Sequence, residues 1–140
     1  MCKFCKDNIN FNSIQKIKVC SAVEYLNPAC KNISELDMSD NKLITEIPIT
    51  YSNLQLLNIN NTIISVLPKS LHKLKTLWMF KSPITFIPSA YVNLIYLFCN
   101  GSELETIPKT CTNLQYVHYK NTKITDLPVE IRNNIKYISN

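Results

Sequence analysis

The side chains best equipped for chemistry in this chain are its six cysteines and two histidines. Cys2 and Cys5 form a Cys-x-x-Cys pair, a spacing that chelates zinc or closes a disulfide because both sulfurs can reach one point. Such a pair supplies two of the four ligands of a structural zinc site, and Cys20 and Cys30 are the candidates for the rest. The repeat described below sets Cys20 on a sheet face and Cys30 in a returning turn, so the N-terminal segment would have to bridge them. Three thiol states stay open: zinc held by these cysteines, a redox-labile disulfide involving Cys2, Cys5 or Cys20, or free thiols, which a reducing cytosol favours. Cys99 and Cys111 fall at apolar positions and read as small buried hydrophobes. His118 is of a type that serves as general base or metal ligand. No acid lies beside it, His72 falls in a turn elsewhere, and no serine or cysteine stands in register as a nucleophile. The residues point away from an enzyme, and no catalytic residue is assigned.

The elements that must position these residues announce themselves through proline. Pro28, Pro48, Pro68, Pro88, Pro108 and Pro128 follow one another at twenty-residue intervals. A fixed period of that size marks a solenoid, in which each coil buries its apolar edge only against its neighbours. Reading back from each proline gives the coil: Leu74, Leu77, Met79, Ile84 and Ile87 before Pro88, matched by Leu54, Leu57, Ile59, Ile64 and Leu67 before Pro68. Leu94, Leu97, Cys99, Leu104 and Ile107 repeat the pattern before Pro108, as do Leu114, Val117, Tyr119, Ile124 and Leu127 before Pro128. At these residues the sequence resembles the leucine-rich repeat family, whose pattern is LxxLxLxxNxLxxLP. The resemblance implies an α/β-type solenoid with about seven short parallel strands on its concave face, and a role in binding proteins.

The departures from that pattern are informative. Its asparagine survives as Asn41, while Thr62, Ser82, Ser102 and Thr122 stand at the same place in later coils. Hydroxyls also bond nearby backbone in turns, so a hydroxyl ladder is expected in place of an amide one. Coils this short leave little room for a helix, so the convex side should be turns, extended chain or short 3-10 segments. Coils start near Ile14, Ile33, Leu54, Leu74, Leu94, Leu114 and Ile135, giving a short N-terminal cap over 1–13 with Cys2 and Cys5, and a solenoid over 14–140. In the first coil Pro28 is expected to close the turn. The second coil is read with Leu43 in the core and an additional residue near Leu43-Ile44 in a bulged turn. The last turn is also longer, through Asn133-Asn134.

The net charge of +5 is spread over fourteen lysines and one arginine. A nucleic-acid binder would cluster its basic residues and read bases with arginine, so no nucleic-acid partner is expected. Heavy use of Asn, Ile and Lys reads as the codon bias of an AT-rich genome, such as that of a large DNA virus or a protist. The first residues lack the apolar run of a secretion signal and no later stretch reads as a membrane span. The expected location is intracellular and cytoplasmic, with no membrane partner.

Strand side chains alternate, so if the conserved-spacing apolar residues Leu77 and Met79 point inward, Thr76, Trp78 and Phe80 point out. The same phase on every strand exposes six of the thirteen Phe, Trp and Tyr residues: Trp78, Phe80, Tyr96, Phe98, Tyr116 and Tyr137. Leu56 and His118 join them. An apolar patch of that kind marks a binding site, and aromatic residues are the usual anchors of interfaces. The expected occupant is a protein or peptide. Self-assembly, as a homodimer through this face or the open solenoid ends, and carbohydrate stacking are the alternatives. A sugar site would want acids interleaved with the rings, whereas here the acids collect at Glu35 and Asp37.

Overall fold

The computed structural model of the protein describes residues 15–139. Within them seven three-residue strands form one parallel sheet in chain order: β1 Lys16–Lys18, β2 Glu35–Asp37, β3 Leu56–Asn58, β4 Thr76–Trp78, β5 Tyr96–Phe98, β6 Tyr116–His118 and β7 Tyr137–Ser139. From β3 to β6 the register advances by twenty residues per step, pairing Leu57 with Leu77, Leu77 with Leu97 and Leu97 with Val117. The chain is thus a leucine-rich solenoid whose strands are joined by turns and by extended chain without regular secondary structure. The expected cap over 1–13, with Cys2 and Cys5, lies outside the described residues.

Each coil is built from the same physical steps. The central strand residue points inward and is buried, as in Leu36, Leu57, Leu77, Leu97 and Val117, while its neighbours are half-buried or exposed. The ladder runs on past each strand, with Met38 N–H donating to the Asn58 carbonyl at 2.9 Å and Met79 N–H to that of Phe98 at 2.8 Å. The chain then leaves the sheet through a left-handed residue: Asp40, Asn61, Lys81, Gly101 and Asn121, with φ between 50 and 68°. The one glycine of the sequence stands in this row, where a side chain costs backbone strain.

The hydroxyls follow immediately. Thr62 Oγ1 donates to the Ile59 carbonyl at 2.9 Å and Thr122 Oγ1 to that of Tyr119 at 2.8 Å, while Ser82 Oγ accepts from Ile84 N–H at 3.3 Å. Asn41, fully buried, does more. Its Nδ2 donates back across the coil boundary to the carbonyls of Cys20 and Val23, at 3.0 and 2.8 Å, and its Oδ1 accepts from the N–H groups of Leu43 and Ile44. The return leg buries a further pair of apolar residues per coil, such as Ile84 and Ile87. It then reaches the proline, whose carbonyl accepts from the N–H three positions on: Pro48 from Tyr51, Pro88 from Tyr91 and Pro108 from Cys111. The donors Tyr51, Tyr91 and Cys111 are buried and stack with the coils into one continuous core.

Two expectations need correction. Ile44, not Leu43, fills the core position of the second coil: Ile44 is 1% exposed and Leu43 46%. The additional residue lies between Asn41 and Ile44, and the two N–H groups bonded to Asn41 Oδ1 bend the chain outward at Leu43. Pro28 does not close the first coil in the way the later prolines do. Cys30 N–H bonds to the Asn27 carbonyl, and Ala29 N–H to Asn27 Oδ1 at 2.9 Å, so an asparagine side chain makes the turn that proline imposes elsewhere. The twenty-residue interval from Pro28 to Pro48 is a coincidence of a short coil followed by a long one: Lys16 pairs with Glu35, nineteen on, and Glu35 with Leu56, twenty-one on. The last turn is a residue longer, as expected, with Tyr116 paired to Tyr137, and it holds a helical turn, α1 Val129–Arg132, which buries Ile131.

Candidate functional site: an aromatic sheet face

The strand phase decides which side chains meet solvent. Leu77 and Leu97 are fully buried, while Trp78, Phe98, Phe80, Tyr116, His118 and Leu56 are half-buried and Tyr96 and Tyr137 are exposed, at 38% and 51%. In-register parallel pairing brings like positions together: Trp78 beside Phe98 beside His118 in one row, Tyr96 beside Tyr116 beside Tyr137 in the next. The rings touch. Trp78 and Phe98 have centroids 6.2 Å apart, Phe98 and His118 4.9 Å, and His118 and Tyr137 5.0 Å. Phe80 meets Phe98 edge-on at 6.5 Å, and Tyr96 stacks on Tyr116 at 4.8 Å. Leu56 lies on the neighbouring strand, paired with Thr76, and makes the patch's apolar margin. Such contacts stabilise the sheet by roughly 0.2–1 kcal/mol per pair, and they still leave ring surface on the solvent side.

The other half of the same face has a different character. Lys16 and Glu35, on β1 and β2, form an ion pair at 2.7 Å, and Lys18 approaches Asp37 at 3.8 Å. Asp37 Oδ1 also accepts from the Ser39 N–H and hydroxyl. The face therefore divides into a charged end on β1–β2 and an aromatic end on β4–β7, with the Leu56 and Asn58 strand between.

Of the candidate metal ligands, Cys2 and Cys5 lie outside the described residues. Among the described residues no three His, Cys, Asp or Glu side chains cluster in a way that could hold a metal ion. Cys30 is fully buried, with its thiol pKa pushed up by burial against a smaller lowering from a hydrogen bond with Tyr51. Cys20 is half-buried against the core. Burial also pushes Cys99 up to about 12 and Cys111 up to about 11. These two are core side chains whose weak donors point to the carbonyls of His118 and Tyr91.

Several structural roles escaped the sequence reading. Asn60 and Asn100, beside the aromatic rows, each accept from the backbone N–H of the next coil, Phe80 and Lys120, at 2.8 Å. Asn53, Asn93, Asn113 and Asn134 form a second ladder, each donating to a carbonyl of the preceding coil. The recurrence of asparagine at fixed coil positions was the available signal.

A family model described as Leucine Rich Repeat matches residues 32–54. No curated protein matches the chain in sequence. Solved structures do. A leucine-rich repeat protein of Leptospira interrogans is 25% identical with a TM-score of 0.64, over 80% of this chain and 34% of that one. The functional domain of InlJ from Listeria monocytogenes, which includes a cysteine ladder, is 22% identical with a TM-score of 0.72, over 82% of this chain and 27% of that one. The plant peptide hormone receptor RGFR1, in complex with RGF2, is 24% identical with a TM-score of 0.63, over 89% of this chain and 22% of that one. This chain shares the solenoid fold of these leucine-rich repeat proteins, and it spans about a third or less of the length of the three. That fold is commonly an interaction module. No helix among the described residues is long and apolar enough to cross a membrane.

Proposed function

We propose that the chain is a non-enzymatic binding module that takes a protein or peptide on its aromatic sheet face. The observation that carries this reading is the continuous run of ring contacts from Trp78 through Phe98 and His118 to Tyr137 on the solvent side of the sheet. Rings held by their neighbours lose little side-chain freedom on binding, so burying them is repaid at about 25 cal/mol per Å². The fold shared with a peptide hormone receptor is consistent with such a ligand. The acids that a sugar site would interleave with the rings are instead committed to Lys16 and Lys18, which disfavours a carbohydrate. An intracellular, cytoplasmic setting suits the buried thiols Cys30, Cys99 and Cys111.

The test is a pull-down with wild type beside Trp78→Ala/Phe98→Ala, both shown to be folded by circular dichroism. Partners recovered by wild type should be lost from the double variant. Equal recovery by both proteins would move the binding site elsewhere. Light scattering with concentration separates a foreign partner from a second copy: a dimer abolished by the double variant would assign the face to self-association.

A further inference from the structure

The aromatic end of the sheet carries a charge pattern that restricts what can occupy it. From β3 to β7, the strands and the residues flanking them over 54–61, 74–81, 94–101, 114–121 and 135–139 contain no Asp or Glu. They do contain lysines at both ends of the strands. Lys75 and Lys136 immediately precede β4 and β7, Lys120 lies two residues beyond β6, and Lys81 three beyond β4. All four are exposed, and among the described residues none is in an ion pair. The acids on the same sheet, Glu35 and Asp37, are held by Lys16 and Lys18 at the far end. The patch is therefore apolar at its centre and positively charged at its rim, without internal neutralisation.

Building on the reading that this face binds a protein or peptide, we propose that its occupant is an acidic segment that also carries apolar or aromatic side chains. Apolar groups bury the rings of Trp78 and Phe98, while carboxylates meet the lysines that docking would otherwise desolvate unpaired. A basic peptide could gain cation–π contacts with the rings, but the lysine rim repels it on approach. A nucleic acid would find cations and stacking faces, but no arginine on this patch to grip phosphate bidentately. The one arginine, Arg132, is engaged by Asp126 at 2.7 Å.

The experiment selects random twelve-residue peptides on the immobilised wild-type chain, with counter-selection on Trp78→Ala/Phe98→Ala. Recovered peptides should be enriched in Asp and Glu together with Leu, Phe or Trp. Their affinity by fluorescence anisotropy should fall about tenfold between about 0.05 and about 0.5 M salt, and about tenfold in Lys75→Glu/Lys120→Glu, a variant whose circular dichroism should match wild type. Binders lacking acidic enrichment, or indifferent to salt and to the charge reversal, would overturn the acidic assignment while leaving a binding face. Failure to recover any binder that distinguishes wild type from Trp78→Ala/Phe98→Ala would overturn the underlying reading with it. Binding of an oligothymidylate at the affinity of the best peptide would overturn the proposal in favour of a nucleic acid.

Discussion

Replacing Asn41 with alanine should be among the most damaging single changes in the molecule. The side chain is fully buried and makes four hydrogen bonds, two of which, to the Val23 carbonyl and from Ile44 N–H, are themselves buried at 2.8 Å. The other two, to the Cys20 carbonyl and from Leu43 N–H, are partly wet. A buried backbone group left without a partner costs about 1–3 kcal/mol, and a partly solvated one about half that. The sum is about 3–9 kcal/mol, against a total stability of order 5–15 kcal/mol for a domain. Ser82→Ala is the control, because Ser82 fills the same coil position with a single acceptor contact of 3.3 Å, and its loss should cost about 1 kcal/mol. Urea titrations followed by the emission of the one tryptophan, Trp78, and by far-UV circular dichroism read the difference. Asn41→Thr should recover no more than about 1 kcal/mol, since a hydroxyl bonds within its own coil and cannot reach both Cys20 and Val23. If Asn41→Ala came within 1 kcal/mol of Ser82→Ala, or if Asn41→Thr matched wild type, the argument that this amide staples two coils would be wrong.

The left-handed row makes a paired prediction. Gly101→Ala should cost about 1 kcal/mol from backbone strain alone, lowering Tm by about 3 °C, because an added Cβ meets only Lys81 Cγ at an ordinary 3.6 Å. Lys81→Gly, relieving φ 50°, should raise Tm or leave it unchanged; a fall would contradict the strain argument. Alkaline pH should destabilise the fold through its buried thiols. Cys99 and Cys111 hold their protons to about 12 and about 11 when folded but release them near about 9 when unfolded. The unfolded state therefore binds fewer protons, and stability should fall as pH rises above about 9. The urea midpoint measured from pH 8 to pH 10.5 checks this, and Cys99→Ala/Cys111→Ala should flatten the slope. Tyr91→Phe removes a hydroxyl bond of 3.0 Å to the Pro68 carbonyl from a fully buried ring, and should cost about 1–2 kcal/mol by the same titration.

The repeat was legible because each coil presents its neighbours with the same problem. Leucine-type residues at Leu74, Leu77 and Met79 recur in Leu94, Leu97 and Cys99, and in-register stacking leaves a substitution such as cysteine packed in the place of leucine. The aromatic face could be read for the same reason, since one strand phase holds for all the coils. What misled was arithmetic at the first two coils. Pro28 stands twenty residues before Pro48, yet Asn27 takes the turn position, because one coil is a residue short and the next a residue long. The choice between Leu43 and Ile44 could not be read from spacing either. It depends on Asn41 reaching two N–H groups at once, a geometric fact of the folded turn.

By itself the sequence determined the architecture, the number of strands and which residues share the solvent face, since periodicity of buried side chains is a local property repeated along the chain. Only the tertiary structure decided which rings touch, which lysines around them have no ion-pair partner among the described residues, and that the acids of the same sheet are already paired at its other end. Those outcomes depend on distances between coils about twenty residues apart, where small differences in coil length shift one side chain against another.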